Sequence, residues 1–134
     1  MVSSISFTNW TGEWQGKGEM VSAQSPTPCD IIDLNLNQTD TTLSVLGGGW
    51  TCGHVKSEIT PYNLTILNNK LYVGDVELGT IQSDQIHIFL KAESASQEYI
   101  LKKTSDDTCA YEDTTFDRWN RPYFKVQGSL HKKQ

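Results

Sequence analysis

TGEWQGKGEM, Thr11 to Met20, is the stretch on which the fold turns. Taken by twos, one set is Gly12, Trp14, Gly16, Gly18 and Met20; the other is Thr11, Glu13, Gln15, Lys17 and Glu19. The second set is polar, so the period is that of a half-buried strand. On the first set one large indole sits among glycines. Glycine inside a strand costs stability and marks a bend or a close approach of backbones. A first strand that curls sharply, with Trp14 as a plug at one end of an enclosed interior, accounts for both features.

The same alternation extends through the chain. In CDIIDLNLNQ, Ile32, Leu34 and Leu36 share a face against Asp33, Asn35 and Asn37, and Leu43 and Val45 continue it. Asn68-Asn69, Gly74-Asp75 and Ser83-Asp84 break later runs and read as hairpin turns. No segment shows an apolar pattern at helical spacing. The expectation is an all-β chain: one antiparallel up-and-down β-barrel of about 8–10 strands with little helix, occupying residues 1–134 as a single domain. Three stretches look different: residues 1–10, a turn or short 3₁₀ plug; the Ser/Pro loop SAQSPTPC, unsuited to a central strand; and the acidic TSDDTCAYEDTTFDRWNR, read as a lid, long loop or short helix.

Composition limits the partners. The chain has 134 residues and a formal net charge of −5, which speaks against nucleic acid. No apolar run is long enough to span a bilayer. MVSSISFTNW lacks the basic start and apolar core of a secretory signal. Three cysteines lack the C-x-x-C spacing of a zinc or redox site. They allow one bridge or none. If a bridge forms, Cys52 with Cys109 is expected, because it ties the polar 104–120 segment to the sheet, and Cys29 is then the free thiol.

Gly12-Glu13-Trp14 resembles the G-x-W signature of the calycins, the barrel superfamily of lipocalins, fatty-acid-binding proteins and avidins. That resemblance implies a Trp packed beneath a basic residue near the last strand. Arg121, or failing it Arg118, is the expected partner of Trp14, with Gly12 and Trp14 as structural positions. WTGEWQGKG is also similar to the opening of nitrobindin-like haem barrels; His131 would have to serve there, and the main expectation is that no cofactor is bound. The resemblance implies a binding protein for a small apolar or amphipathic molecule.

The inward set supplies the candidate lining: Trp14, Met20, Leu34, Leu36, Tyr62, Tyr99 and Phe124. Trp50 follows Gly47-Gly48-Gly49 and is placed on a mobile loop at the barrel mouth. The same apolar list would also fill a closed core, so a filled barrel acting as a protein-interaction or inhibitor module is the alternative. His87, between Ile86 and Ile88, faces outward. His54 has no partner set by spacing. Asp106, Asp107, Glu112, Asp113 and Asp117 read as a charged loop, since they form no EF-hand. There is no G-x-S-x-G elbow, so an enzyme is not expected and no metal is called for. Asn9, Asn37 and Asn63 stand in N-x-[ST] contexts.

Overall fold

The computed structural model describes residues 8–22, 26–92 and 94–133. It is built of eleven strands: β1 (Gly12–Val21), β2 (Thr27–Gln38), β3 (Thr42–Cys52), β4 (Val55–Glu58), β5 (Tyr62–Leu67), β6 (Lys70–Val73), β7 (Val76–Ile81), β8 (Gln85–Lys91), β9 (Ser96–Ser105), β10 (Thr108–Phe116) and β11 (Pro122–Lys132). Among the described residues there is no helix. The strands pair antiparallel in the order β2-β1-β11-β10-β9-β8-β7-β6-β5-β3-β4, and β2 also pairs with β3. That last pairing closes ten strands into a barrel and leaves β4 as an extra strand beside β3. Closure removes the open edges that a meander would otherwise expose.

The strand directions define two rims. The β1–β2, β8–β9 and β10–β11 connections lie at the upper rim. The β2–β3, β7–β8 and β9–β10 connections lie at the lower rim, with residues 8–11. The expected turns stand where Asn68, Asn69 and Gly74 adopt positive φ. Residues 1–7 of the expected N-terminal plug and residues 23–25 of the Ser/Pro loop lie outside the described residues. The rest of that loop is partly strand. Pro28 pairs with Glu19 of β1 and lies beyond the first β2–β3 partners, Cys29 and Cys52, where one edge of β2 has no neighbour.

Gly18 lies opposite Gly128, and Gly16 opposite Leu130. A Cβ on Gly16 would stand 1.9 Å from the carbonyl oxygen of Ser129, and one on Gly18 would stand 1.9 Å from that of Gln127. No side chain fits, so glycine lets β1 coil tightly against β11 while Trp14 fills the space beneath. Trp14, Met20, Leu34, Leu36, Leu43, Val45, Tyr99 and Leu101 are buried, whereas Val73 and Val76 are exposed on the β6–β7 hairpin.

Three expectations are corrected. Trp50 is not on a loop: Gly47, Gly48 and Gly49 lie in the middle of β3, and Trp50 is buried. A Cβ on Gly48 would come within 2.5 Å of the Asp33 carbonyl oxygen and one on Gly49 within 2.1 Å of that of Ser57, so these two glycines serve close strand packing. The acidic 104–121 segment is neither lid nor helix; most of it is β10, the turn before it and the turn after it. The disulfide joins Cys29 to Cys52, and Cys109 is the free, buried cysteine. The β2–β3 register sets Cys29 directly against Cys52 at the upper rim, while Cys109 starts β10 at the lower one.

Candidate functional site

β10 carries Cys109, Tyr111 and Asp113 inward by simple alternation. Asp113 is 1% exposed. On the adjacent strands its register partners are Tyr99 and Val126. From across the barrel Trp50 reaches it, and its indole Nε1 donates to Asp113 Oδ2 at 3.1 Å. The Tyr111 hydroxyl donates to the same oxygen at 3.3 Å. Asp113 Oδ1 is buried with no hydrogen-bond partner among the described residues. Phe124 packs edge-on to Trp50 with ring centroids 6.0 Å apart.

This environment governs the local acid–base chemistry. Burial raises the Asp113 pKa from 3.8 to about 6, and the bonds from Trp50 and Tyr111 only partly oppose it. Tyr62 is pushed up to about 12 by burial and then by the Asp113 charge. Tyr99 and Tyr111 are raised further by the same two causes in the same order. The three phenols therefore stay neutral.

Below this cluster the barrel is nearly full. A cavity of about 20 Å³ remains between Leu34, Leu36, Tyr62, Ile88 and Tyr99. That is room for about one water molecule. An open depression of about 640 Å³ over Lys17, Glu19, Lys102 and Gln127 lies on the outer wall, above the crowded Gly18–Gly128 crossing, and touches none of the lining expected from the sequence. The wall itself is lowest on one side. Only Ile86, His87 and Ile88 of β8 pair with β7, so Phe89, Leu90 and Lys91 pair with β9 alone. Across that notch stand β4 and residues 59–61.

The residues expected from the sequence divide between the two ends. Trp50, Tyr62, Tyr99 and Phe124 gather near Asp113, with Met20 buried on β1. Leu34 and Leu36 line the small cavity. Trp14 closes the lower end, where its Nε1 donates to the Trp10 carbonyl at 3.1 Å. The expected stacking of Trp14 with Arg121 or Arg118 does not occur. The cations over Trp14 are Lys132 at 5.2 Å and Lys103 at 5.9 Å from the ring centroid. β11 runs antiparallel to β1, so the end of β11 meets the start of β1, and Trp14 pairs with Lys132. Residues just before β11 sit at the opposite rim. Lys103 also donates to the carbonyls of Thr8 and Asn9, tying the N-terminal segment over the lower end. Burial and then neighbouring Lys132 hold its pKa below the ordinary lysine value.

Asp113 and Tyr111 escaped sequence reading. The available signal was the alternation Cys109, Tyr111, Asp113, hidden by an acid at an inward position. His131 is exposed on the outer face, so the residue that a haem would need does not face the interior. His87 lies on the outer wall, 2.6 Å from Glu98. Among the described residues no group of three His, Cys, Asp or Glu side chains converges as a metal site, and no helix could cross a membrane.

The fold, a closed antiparallel barrel of ten strands with one strand beside it, is shared with solved structures. Two solved structures carry the likeness. One is a protein of unknown function from the DUF3598 family of Nostoc punctiforme PCC 73102, at TM-score 0.66 and 9% identity, covering 92% of this chain and 47% of that one. This chain thus spans about half the length of that neighbour. The other is the S-type phycobiliprotein lyase CPES from Guillardia theta, at TM-score 0.63 and 10% identity, covering 93% of this chain and 88% of that one. No family model and no curated protein matches the sequence.

Proposed function

We propose that this chain is a binding protein, not a catalyst, and takes a small amphipathic organic molecule in the upper half of its barrel with Asp113 as the polar anchor. The supporting observation is the unpartnered Oδ1 of Asp113 inside an aromatic wall. A buried acceptor without a donor costs about 1–3 kcal/mol, more when charged, so a ligand N–H or ammonium placed there gains what the protein alone leaves unmet. Trp50, Tyr62, Tyr99 and Phe124 supply the apolar faces that small-molecule sites use. Because the present cavity holds about one water, entry requires the notch beside Phe89–Lys91 to widen. The lyase neighbour makes bilins a reasonable first ligand class.

The test is a fluorescence titration of the full chain with 1-aminoanthracene and with biliverdin, following the buried tryptophans, alongside native mass spectrometry of freshly purified protein. Binding of either probe that weakens at least about tenfold in Asp113→Asn supports the reading. Absence of binding, or binding indifferent to Asp113→Asn, refutes it.

The nearly filled interior favours a second reading, the protein-interaction barrel. Its discriminating observation is a partner that binds the outer surface with the interior unchanged.

A further inference from the structure

Of the four tryptophans, Trp10, Trp14 and Trp50 are buried and Trp119 is 67% exposed. Trp119 sits at the upper rim, in the turn Asp117–Arg121 between β10 and β11. Tyr123, two residues beyond that turn, is 69% exposed. The only two arginines of the chain, Arg118 and Arg121, place their guanidinium carbons 5.4 and 5.2 Å from the Trp119 ring centroid.

The turn holds this group in place before any partner arrives. Asp117 Oδ1 accepts from the backbone N–H of Trp119 at 2.9 Å and of Arg121 at 3.0 Å. The Asp117 N–H donates to the Arg121 carbonyl, and the Asn120 N–H to the Asp117 carbonyl, both at 2.9 Å. Asn120 takes the left-handed conformation, φ 63°, that such a turn needs. Arg121 Nε lies 3.3 Å from Asp117 Oδ2. A fixed loop loses little entropy on binding.

We infer that the β10–β11 turn is a docking knob for another protein, one that presents an apolar socket for Trp119 ringed by Asp or Glu side chains for Arg118 and Arg121. Trp, Tyr and Arg are the residues that most often dominate protein interfaces. The turn is closed by Asp117 and backbone, and among the described residues Trp119 is neither in the core nor packed against it. Charge selects the partner. Arg118, Arg121 and Asp117 together carry +1 (two positive, one negative) on a chain whose formal net charge is −5. An anionic bilayer or nucleic acid would meet the acidic body along with the knob. A protein socket contacts the knob alone. The proposal deepens the protein-interaction reading and does not depend on whether the barrel takes a ligand.

A phage-displayed library of short random peptides, selected on the full chain and counter-selected on Trp119→Ala, tests it. Enriched peptides should combine Asp or Glu with an aromatic or aliphatic residue. Their synthetic forms should bind Trp119→Ala at least about tenfold more weakly. Arg118→Ala, which leaves the Asp117–Arg121 bonds intact, should weaken binding severalfold and flatten its salt dependence. Asp113→Asn should bind as the parent does, which separates this result from the ligand test. Unchanged circular dichroism of Trp119→Ala guards against misfolding. No Trp119-dependent peptide, or enrichment without acidic residues, overturns the proposal. So does Trp119-dependent sedimentation with vesicles of phosphatidylcholine and phosphatidylglycerol.

Discussion

Trp50 on β3 and Asp113 on β10 hydrogen-bond across the barrel at 3.1 Å, although their strands are not neighbours in the sheet. The bond spans the interior and fixes the indole that fills its upper half. Trp14 fills the lower half and is also buried. Replacing either by Ala should therefore cost about 3–5 kcal/mol, as for other large buried aromatics. Trp50→Ala also removes a donor from a buried carboxylate, so it should be no milder than Trp14→Ala. Urea denaturation of both variants beside the parent measures this, and a nearly neutral Trp50→Ala would remove Trp50 from the core.

Asp113 predicts a pH dependence. Its folded pKa, about 6, lies above the ordinary value of 3.8, so the folded state binds the proton more tightly than the unfolded chain does. Stability from this group is then highest below the unfolded value and falls as pH rises to about 6, beyond which the loss is complete. The loss is on the order of 3 kcal/mol for a shift of about two units. Asn keeps the shape and cannot ionise. Asp113→Asn should therefore melt higher than the parent at about pH 7.5 and draw level with it at about pH 4. Thermal melts at both pH values decide it; an Asn variant less stable at the higher pH would mean that the carboxylate is favoured where it lies.

Much of the barrel was legible because its evidence is local. Leu34, Leu36, Leu43 and Val45 alternate cleanly, and Asn68-Asn69 marks a turn by chemistry that needs no tertiary context. What escaped depends on information that period two does not carry. Trp50 follows three glycines, which have no side chains to alternate, so a strand looked like a loop. Asp113 is an acid on an inward face, and one of its two donors, Trp50, lies 63 positions away. The partner of Trp14 was misplaced by strand direction: antiparallel closure sends the end of β11, not its start, to Trp14.

The cysteine assignment is checked chemically. Peptide mapping without reduction should recover Cys29 linked to Cys52 and a single free thiol at Cys109. Burial pushes the Cys109 thiol up to about 12, so it should resist alkylation until the chain is unfolded. The bridge closes a loop with a sequence separation of 23, so replacing both partners by Ser should cost about 3 kcal/mol. A Cys52–Cys109 peptide in the map would contradict the β2–β3 register itself.

The glycines of the first strand give the last prediction. Gly18 faces Gly128 where β1 crosses β11, and each leaves space that the other strand's backbone occupies. An added Cβ at Gly18 would stand 1.9 Å from the Gln127 carbonyl oxygen and 2.7 Å from its carbon, and backbone on a paired strand cannot swing aside as a side chain would. The strands must separate or lose ladder hydrogen bonds. Gly18→Ala should destabilise by at least about 1–3 kcal/mol, the range for overpacking a tight site. Alanine would otherwise be favoured, since it restricts the unfolded chain by about 0.4–1 kcal/mol relative to glycine, so the sign of the change is diagnostic. Gly74→Ala is the control. Gly74 has open space around its Cβ position and a φ of +59°, so its cost there comes from backbone conformation alone. That cost is about 1 kcal/mol, the mild end for a residue forced into the left-handed region. Urea midpoints of the two variants make the comparison, and Gly18→Ala at or above parental stability would show that the crossing of β1 and β11 is looser than the backbone distances require.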